Sequence, residues 1–423
     1  MSFPQEELIQ HIWLHRLFNS QELKTTDGLG IEISRPGELN TNAGPDFLNA
    51  RLKIDGTEWA GNVEVHVRAS DWSKHKHQHD SAYENIILHV VYINDLPKSV
   101  GSFPTLELKG EISNQILRRY DNLISNKNDL PCATQFMEVP EVIRNNWIDS
   151  LIIARLQRKS EWINEQIEIA HGDMEQAFQI VLFRAFGMKV NALGFELLGL
   201  ITPWKTLGKY KDNLFQIEAI LFGNAGFLKI PEDEYQDQLS KEFDFLVNKH
   251  GIGGLDAHVW KFSRMHPKNF PTLRLAQLAA LYHQTGQFLG WFGSKEVPEL
   301  LESLTVEPSE YWQTHYRFGK EFPTNGNRIG AAMAQHILIN VLAPFLFVMA
   351  ERESKMELKE RAVSILEKLK PEKNSKTSAF NKSGFKAGNA LESQALIELK
   401  TNYCDHKKCL FCNVGATILK REL

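Results

Sequence analysis

The hydrophobic positions of the N-terminal part recur first at helical spacing and then at strand spacing. Residues 4–19 place apolar side chains three and four positions apart, which predicts an amphipathic helix. Apolar and polar residues alternate in 29–35, 47–54 and 59–68, which predicts strands, and 86–93 is an unbroken apolar run typical of a central strand. The predicted order is a helix, three strands, a short helix and a fourth strand.

From residue 140 onwards the pattern becomes helical. Residues 147–183, 214–221, 271–288 and 328–350 carry apolar side chains at helical spacing or in buried runs. The pattern therefore predicts an α+β fold. The predicted segments are an α/β core at 1–135, a helical domain at 136–367, a basic linker or loop at 368–390 and a cysteine-containing segment at 391–423.

Composition and charge fit a globular protein of two or three domains. Apolar residues make up 43% of the 423 residues, charged residues make up 24%, and the formal net charge is −4. No global field therefore draws the chain to nucleic acid or to a membrane. The N-terminus does not resemble a secretory signal, and the most apolar stretch, 337–349, is short and interrupted by Asn340 and Pro344. We therefore expect a cytoplasmic protein without a membrane partner.

Two short segments put carboxylates and an imidazole on neighbouring predicted strands. Asp46 follows a glycine and a proline at the start of one strand, and Glu64 and His66 lie two positions apart on the next. Residues two apart on a strand point to the same face, so Glu64 and His66 share a face. Two carboxylates with a basic group beside them suit a divalent cation and the activation of water against a phosphodiester.

The order of these elements resembles the PD-(D/E)XK nuclease superfamily, over about 100 residues of the chain. Asp46 matches the superfamily aspartate, Glu64 matches its second metal-binding carboxylate, and His66 stands where the family usually has lysine. Glu6 or Glu7 matches an acidic residue that some members carry in the first helix. The chain also resembles an uncharacterised bacterial family of similar length. The shared segments are Gly-Pro-Asp-Phe, Gly-x-Val-Glu-x-His and Ser-Asp-Trp, here at 44–47, 61–66 and 70–72.

The superfamily resemblance implies roles for the N-terminal residues. Asp46 and Glu64, with a backbone carbonyl near Val65, would hold Mg²⁺ or Mn²⁺ through hard oxygen ligands. His66 would act as a base or as a ligand of a softer metal such as Mn²⁺, and Arg68 would supply the positive charge of the missing lysine. The candidate catalytic residues are thus Asp46, Glu64, His66 and Arg68.

The register of the hairpin decides whether the carboxylates meet. A two-residue turn at Asp55-Gly56 places Asp46 across from Val65, on the opposite face from Glu64 and His66. A three-residue turn with a glycine bulge instead places Asp46 across from His66.

Apolar pairing favours the two-residue turn, because it matches Leu48 with Val63 and Leu52 with Trp59. The metal-site interpretation therefore requires a bulge or a twist near Pro45, where a strand begins.

A histidine-rich tract follows the third predicted strand. His75, His77 and His79 precede Asp80, and such tracts bind Zn²⁺ or Mn²⁺ in some proteins and are solvated polar stretches in others. Helical spacing aligns His75 with His79. We expect His79 to be the one that reaches the Glu64 site as an additional metal ligand.

The cysteines are unevenly distributed along the chain. Cys132 stands alone, and Cys404, Cys409 and Cys412 follow C-x4-C-x2-C spacing near the C-terminus. This spacing suits an iron–sulfur cluster or Zn²⁺ bound by all four cysteines. A zinc site of the three late cysteines with His406, and free thiols, remain open alternatives. A disulfide scaffold is not supported.

Two basic segments are candidates for binding the phosphates of DNA. Arg264, Lys268 and Arg274 surround a predicted helix start, and Lys382 and Lys386 lie in the basic segment. Each has a structural alternative.

The structural alternative for Arg274 is a hydrogen bond with Asn269 that fixes an interhelical turn, and the basic segment is equally a solvated linker. The glycines at 326 and 330 lack the strand and glycine pattern of a phosphate-binding loop, so we expect no nucleotide cofactor.

The sequence thus supports two hypotheses of different classes. The first is a metal-dependent nuclease acting on DNA. The second is a catalytically silent protein of the same fold that binds nucleic acid or a protein partner, and His66 in place of lysine is the main argument for it.

Overall fold

The computed structural model describes residues 4–97, 101–251, 253–292, 295–322 and 326–421, and the chain divides into two compact units. The first unit combines Met1–Trp147, Ala379–Phe385 and Leu399–Leu423, and the second combines Ile148–Ser378 and Lys386–Glu398. Mixed sheet and helices in the first unit, with a mostly helical second unit, make the fold class α+β.

Regular elements account for most of the described chain. The strands are β1 Ile31–Arg35, β2 Glu38–Leu39, β3 Phe47–Ile54, β4 Thr57–Arg68, β5 Ile86–Ile93, β6 Thr105–Glu107, β7 His315–Arg317 and β8 Lys320–Glu321. The α-helices are α1 Glu6–Leu14, α2 Asp71–Lys74, α3 Asn114–Ser125, α4 Glu141–Ile169, α5 Met174–Phe186, α6 Ala192–Ile201, α7 Trp204–Lys209, α8 Leu214–Asn224, α9 Glu234–His250, α10 Pro271–Thr285, α11 Phe288–Phe292, α12 Val297–Ser303, α13 Glu310–Thr314, α14 Ala331–Ile337, α15 Ala343–Glu353, α16 Met356–Lys368, α17 Ser375–Lys382, α18 Ala390–Leu399 and α19 Asn413–Lys420.

The sheet of the first unit is mixed. Its strand order is β1-β3-β4-β5-β6, and β2 pairs with β3 beside β1. β3 and β4 form the predicted antiparallel hairpin, whereas β5 runs parallel to β4 and β6 runs parallel to β5. A parallel neighbour requires a crossover connection, and the segment that contains α2 provides it between β4 and β5. The predicted element order is therefore observed.

The first helix is shorter than the predicted 4–19. It ends at Leu14 because Arg16 adopts a left-handed backbone conformation, with φ of 51°, and the amide of Leu17 donates to the carbonyl of Ile12. Leu8, Ile9, Ile12 and Trp13 are nevertheless buried along the predicted face.

A bulge in β3 sets the position of Asp46. Near the turn the register is that of a two-residue loop, with Leu52 across from Trp59 as predicted. Asn49 then adopts φ of 58° and the register shifts, so that Phe47, and not the predicted Leu48, lies across from Val63. The shift turns Asp46 toward Glu64. The irregularity that the sequence placed near Pro45 thus lies within the strand.

The predicted basic linker at 368–390 contains regular structure. It includes α17, and Phe380 is fully buried against the ring of Phe136, with ring centroids 5.6 Å apart. The ring of Phe385 also packs against Phe136, with ring centroids 5.7 Å apart. Phe380 and Phe385 are the residues in this segment that indicate burial. The prediction of a linker followed the lysines of the segment instead.

The apolar helix of the second unit continues through Pro344. A π-helical turn, Leu338–Leu342, joins α14 to α15, so Ala331–Glu353 is long and apolar enough to cross a membrane by length and composition. The predicted interruption at Pro344 does not occur, because the wider turn accommodates a residue without an amide hydrogen. The helix is mostly buried inside the protein, as core helices are.

The bulge at Asn49 generates a stability prediction. Asn tolerates the left-handed region better than β-branched residues, so we expect Asn49→Val to lower the free energy of unfolding by about 1 kcal/mol or more. Asn49→Gly should be neutral or mildly stabilising. Urea denaturation measures both. Arg51→Val, at an exposed regular position of the same strand, is the matched control, and an equal loss in both valine variants would contradict the role of the bulge.

Candidate metal centre

Two carboxylates are joined by backbone hydrogen bonds at the start of β3. The amide of Asp46 donates to Glu64 Oε2 at 3.0 Å, and the amide of Val65 donates to Asp46 Oδ2 at 3.0 Å. Gln10 of α1 donates to Asp46 Oδ1 at 2.9 Å. Glu64 is only 4% exposed. The hydrogen bonds fix both side chains and leave Glu64 Oε1 facing the other side of the site.

Asp46, Glu64 and Glu6 form a cluster of carboxyl groups. Burial, and then the neighbouring Asp46, raise the pKa of Glu64 to about 9. Burial also raises the pKa of Asp46, and burial together with Asp46 raises the pKa of Glu6 in α1 to about 7. Among the residues that the structure describes, none of these carboxylates forms an ion pair with lysine or arginine. The cluster therefore favours a proton or a bound cation.

Three histidines complete the other side of Glu64. Glu64 Oε1 lies 3.6 Å from His66 Nε2 and 3.3 Å from His77 Nε2. His66 Nε2 lies 3.1 Å from His75 Nδ1. One ligand atom from each of His66, His75 and His77 falls within 4.8 Å of the others. The site therefore brings one carboxylate oxygen and three imidazole nitrogens together.

The surroundings favour the neutral form of the two buried imidazoles, His66 and His89. Burial, followed by the nearby His89 and His75, lowers the pKa of His66 to about 2, and burial lowers the pKa of His89 to about 4. His66 Nδ1 and His89 Nε2 are 2.9 Å apart. If His66 Nδ1 carries the proton and donates to His89, His66 Nε2 is free to bind a metal, which is the arrangement that metal-bound histidines usually have.

Two features of the site favour the binding of a metal cation. His77 Nε2 is buried without a hydrogen-bond partner although it points toward Glu64. Three pairs of neighbouring ligand atoms lie 3.1 to 3.6 Å apart, near the separation of about 3.4 Å between adjacent ligands of Zn²⁺. A site with three imidazoles favours Zn²⁺ or Mn²⁺ over Mg²⁺, which prefers oxygen ligands.

Aromatic rings form one wall of the site. Tyr83 stacks on His77 with ring centroids 4.0 Å apart, and Trp72 is buried edge-on to His66 at 6.5 Å. Phe103 lies 4.6 Å from Trp72. The wall limits access of water to the imidazoles and orients His77, since the stacked ring fixes its plane.

His77, and not His79, reaches Glu64. His79 is exposed, and its ligand atoms do not belong to the described histidine group. The expected pairing of His75 with His79 assumed a continuous helix, but α2 ends at Lys74 and Lys76 adopts φ of 63°. This left-handed residue redirects the chain so that His77 turns inward.

Arg68 lies beside the predicted site and faces another carboxylate. Its guanidinium is 3.9 Å from Asp95, while its amide donates to Asp71. Its role as the source of positive charge at the centre stays a prediction.

The basic residues predicted to bind phosphate are placed differently from one another. Arg264, Lys268, Lys382 and Lys386 are exposed. Arg274 is buried, with Nη2 donating to Asn269 Oδ1 at 2.7 Å and Nη1 donating to Gln277 Oε1 at 2.8 Å. The structural alternative for Arg274 is confirmed, because Nη2 bonds to Asn269 as predicted and Nη1 bonds to Gln277 inside the helical unit.

The sequence analysis missed part of the site. Gln10, His75, His77 and His89 contribute contacts that it did not assign. His89 carried a signal, since it is a polar residue within the apolar run of β5 and lies across from Glu64 in the parallel register. Gln10 carried no signal, because an amide on a helix face is ordinary.

The fold and the site together define an α+β protein with a candidate metal centre in its mixed sheet. The family model for protein of unknown function DUF2851 matches residues 6–375, so the chain belongs to this family. The match includes every residue of the candidate metal centre. No curated protein and no solved structure matched the chain.

A metal-binding prediction follows from the ligand geometry. We expect His77→Ala to weaken the binding of Mn²⁺ or Zn²⁺ by at least about tenfold, because a ligand atom is lost. Isothermal titration calorimetry of the metal-free protein measures the affinity. His79→Ala, in the same tract but exposed, is the control and should bind as the wild type does. Equal affinities in the two variants would contradict the ligand assignment.

A pH dependence follows from the raised pKa of Glu64. Between 4.5 and about 9 the folded protein keeps a proton on Glu64 that the unfolded chain has lost. The free energy of unfolding should therefore fall as pH rises through this window. Glu64→Gln removes this contribution and should flatten the decline between about pH 5 and about pH 8. Urea denaturation in a chelator tests this, and parallel pH curves would refute it.

Proposed function

We propose that this protein is a metal-dependent phosphodiesterase, a nuclease acting on DNA. The observation that carries the proposal is the meeting of Asp46, the buried Glu64 and the histidine group, without a lysine or arginine ion pair to either carboxylate in the described structure. Such a cluster is costly to fold unless a cation neutralises it. Hydrolysis of a phosphodiester is a reaction for which a bound cation is directly useful.

The element order supports the same proposal. The sequence α1, the β3–β4 hairpin, α2 and the parallel strand β5 has the order that the PD-(D/E)XK superfamily uses, with the acidic pair on the hairpin. Glu6 on the first helix faces the pair, as the sequence resemblance implied. Fold-level similarity alone does not establish activity, so the argument rests on the site.

The residues of the site divide the chemistry as follows. Glu64 Oε1, His66, His75 and His77 would hold the cation, which would lower the pKa of a bound water and neutralise charge on the phosphate. Asp46 positions Glu64 and keeps lone pairs for a second cation or a water molecule.

Glu6 is the nearby carboxyl whose pKa, about 7, suits proton transfer at neutral pH. We assign it the role of the base that removes a proton from the attacking water. In this assignment His66 stands at the position of the family lysine and would bind the metal. It does not supply the positive charge of that lysine.

DNA is the proposed substrate and exposed basic residues are the proposed contacts. Arg264 and Lys268 lie on the second unit, and Lys382 and Lys386 lie in and after α17. The net charge of −4 makes a local basic surface necessary for any phosphate contact. Arg274 is not part of this surface because it is buried.

The alternative is a catalytically silent protein that keeps the fold and binds nucleic acid or a protein partner. Both oxygens of Asp46 already accept hydrogen bonds, from Gln10 and from Val65. The absence of a lysine at His66 removes the charge that usually stabilises the transition state. This alternative predicts metal and DNA binding without cleavage.

The experiment is cleavage of labelled single- and double-stranded DNA by protein purified without air. We expect cleavage with Mn²⁺ to exceed cleavage with Mg²⁺, because the ligands are mostly nitrogen. Glu64→Gln should lower the rate at least about 100-fold, and His79→Ala should leave it unchanged.

Three outcomes separate the hypotheses. Cleavage that Glu64→Gln abolishes supports the nuclease. DNA binding without cleavage, under either metal, supports the silent alternative. Cleavage that Glu64→Gln leaves unchanged contradicts the proposed site, because it must come from other residues or from a contaminant.

A further inference from the structure

All four cysteines of the chain lie close together in the first unit. Cys132 is far from the others in sequence, yet its thiol interacts electrostatically with those of Cys409 and Cys412. The thiol of Cys404 interacts with those of Cys132, Cys409 and Cys412. Cys409 and Cys412 are 8% and 7% exposed. The fold thus collects every cysteine of the chain in one place, with Cys409 and Cys412 buried and Cys132 and Cys404 half-buried, and none forms a disulfide.

Local backbone structure shapes the C-terminal loop around the sulfur atoms. Cys404 ends a π-helical turn, Lys400–Cys404, and Lys407 takes φ of 52° to reverse the chain before Cys409. A Cβ atom at Gly415 would lie 2.2 Å from the carbonyl oxygen of Cys409, so the first turn of α19 packs directly on this loop. Glycine is the residue that permits this approach.

Backbone hydrogen bonds favour a negative charge on the sulfur of Cys412. It accepts hydrogen bonds from the backbone amides of Val414 and Gly415, at the start of α19. Amide hydrogen bonds to sulfur are a general feature of cysteine sulfurs that ligate iron or zinc. Without a cation, burial instead raises the pKa of Cys132 to about 12 and that of Cys409 to about 11. Two buried and two half-buried thiols around such an acceptor site are suited to metal ligation.

The spacing of the sulfur atoms distinguishes a cluster from a single ion. Four thiolates around one Zn²⁺ lie about 3.8 Å apart, given a Zn–S bond of about 2.3 Å. Among the residues that the structure describes, the histidine group is the one set of three ligand atoms within 4.8 Å of one another, so no three of these sulfurs are that close. A cubane cluster holds its thiolates at separate corners, farther apart than the ligands of one ion, so the absence of such a tight set of three sulfurs in the described chain favours a cluster over a single Zn²⁺.

We propose that Cys132, Cys404, Cys409 and Cys412 bind an iron–sulfur cluster of the [4Fe–4S] type. Each thiol loses its proton and binds one iron. The cluster joins the loop around Cys132 to the segment that carries α19. Lys407 Nζ donates to the carbonyl of Ile124 in α3, the helix that precedes the loop around Cys132. The site is separate from the metal centre and does not depend on the proposed nuclease activity.

The bound segment also borders the helix that supports the metal centre. Residues of α19 and of the cysteine loop, including Phe411 and Thr417, line a cavity of about 350 Å³ together with Gln10 and His11 of α1. Gln10 donates to Asp46. The cluster therefore has a structural role, which is to hold α19 in place beside α1.

The test is iron and acid-labile sulfide analysis of the full chain purified without air, followed by reconstitution with iron and sulfide. We expect iron and sulfide in equal amounts, with the broad visible absorption of iron–sulfur charge transfer. Zinc without iron would overturn the proposal. Four thiols that react with a thiol reagent, in protein that takes up no iron on reconstitution, would also overturn it.

Variants separate the four-cysteine site from a site in the tail alone. Cys132→Ser should lose most of the visible absorption, whereas His406→Ala should keep it, because His406 is exposed and is a ligand only in the tail zinc site. The reverse pattern would refute the four-cysteine cluster. Glu64→Gln should retain its iron, which keeps the outcome distinct from that of the nuclease assay. If Cys132→Ser does not fold, the metal analysis of the wild type decides.

Discussion

The buried contact between Asp46 and Glu64 is the constraint on which the site depends. Two carboxylates share one region of a sheet that offers them backbone amides and imidazoles but, in the described structure, no cationic partner. Like charges this close cannot both ionise in a protein interior without compensation, and the raised pKa of Glu64, to about 9, expresses that cost. A bound divalent cation would remove the cost and release the proton. The proposal therefore links metal binding to the stability of the sheet.

Each neighbouring element contributes to that contact. The bulge at Asn49 turns Asp46 toward Glu64, and α1 supplies Gln10 and Glu6 from the other side. The left-handed residue Lys76 returns the chain so that His77 completes the ligand set. Backbone strain at both positions is thus associated with the site, as is common where function fixes geometry.

The sequence predicted the element order, the hairpin and the burial of the first helix, because these depend on hydrophobic periodicity. It predicted Glu64 and His66 but not His77 as proposed metal ligands, because the position of His77 depends on a single backbone conformation at Lys76. The two-residue turn was predicted from Leu52 facing Trp59, but the shift at Asn49 is a positive φ that an asparagine only permits and does not require. His79 was expected in place of His77 for the same reason. The helix at 375–382 was not predicted, because the prediction of a linker followed the lysines of the segment and gave no weight to the buried Phe380.

The central claim is that Glu64 and three histidines hold one cation. The most direct measurement is an anomalous difference map from a crystal grown with Mn²⁺, recorded near the manganese absorption edge. The account predicts one peak within bonding distance of Glu64 Oε1, His66 Nε2, His75 Nδ1 and His77 Nε2. A peak held by Asp46 and Glu64 with the histidines turned away, or no peak at this site at saturating Mn²⁺, would contradict it.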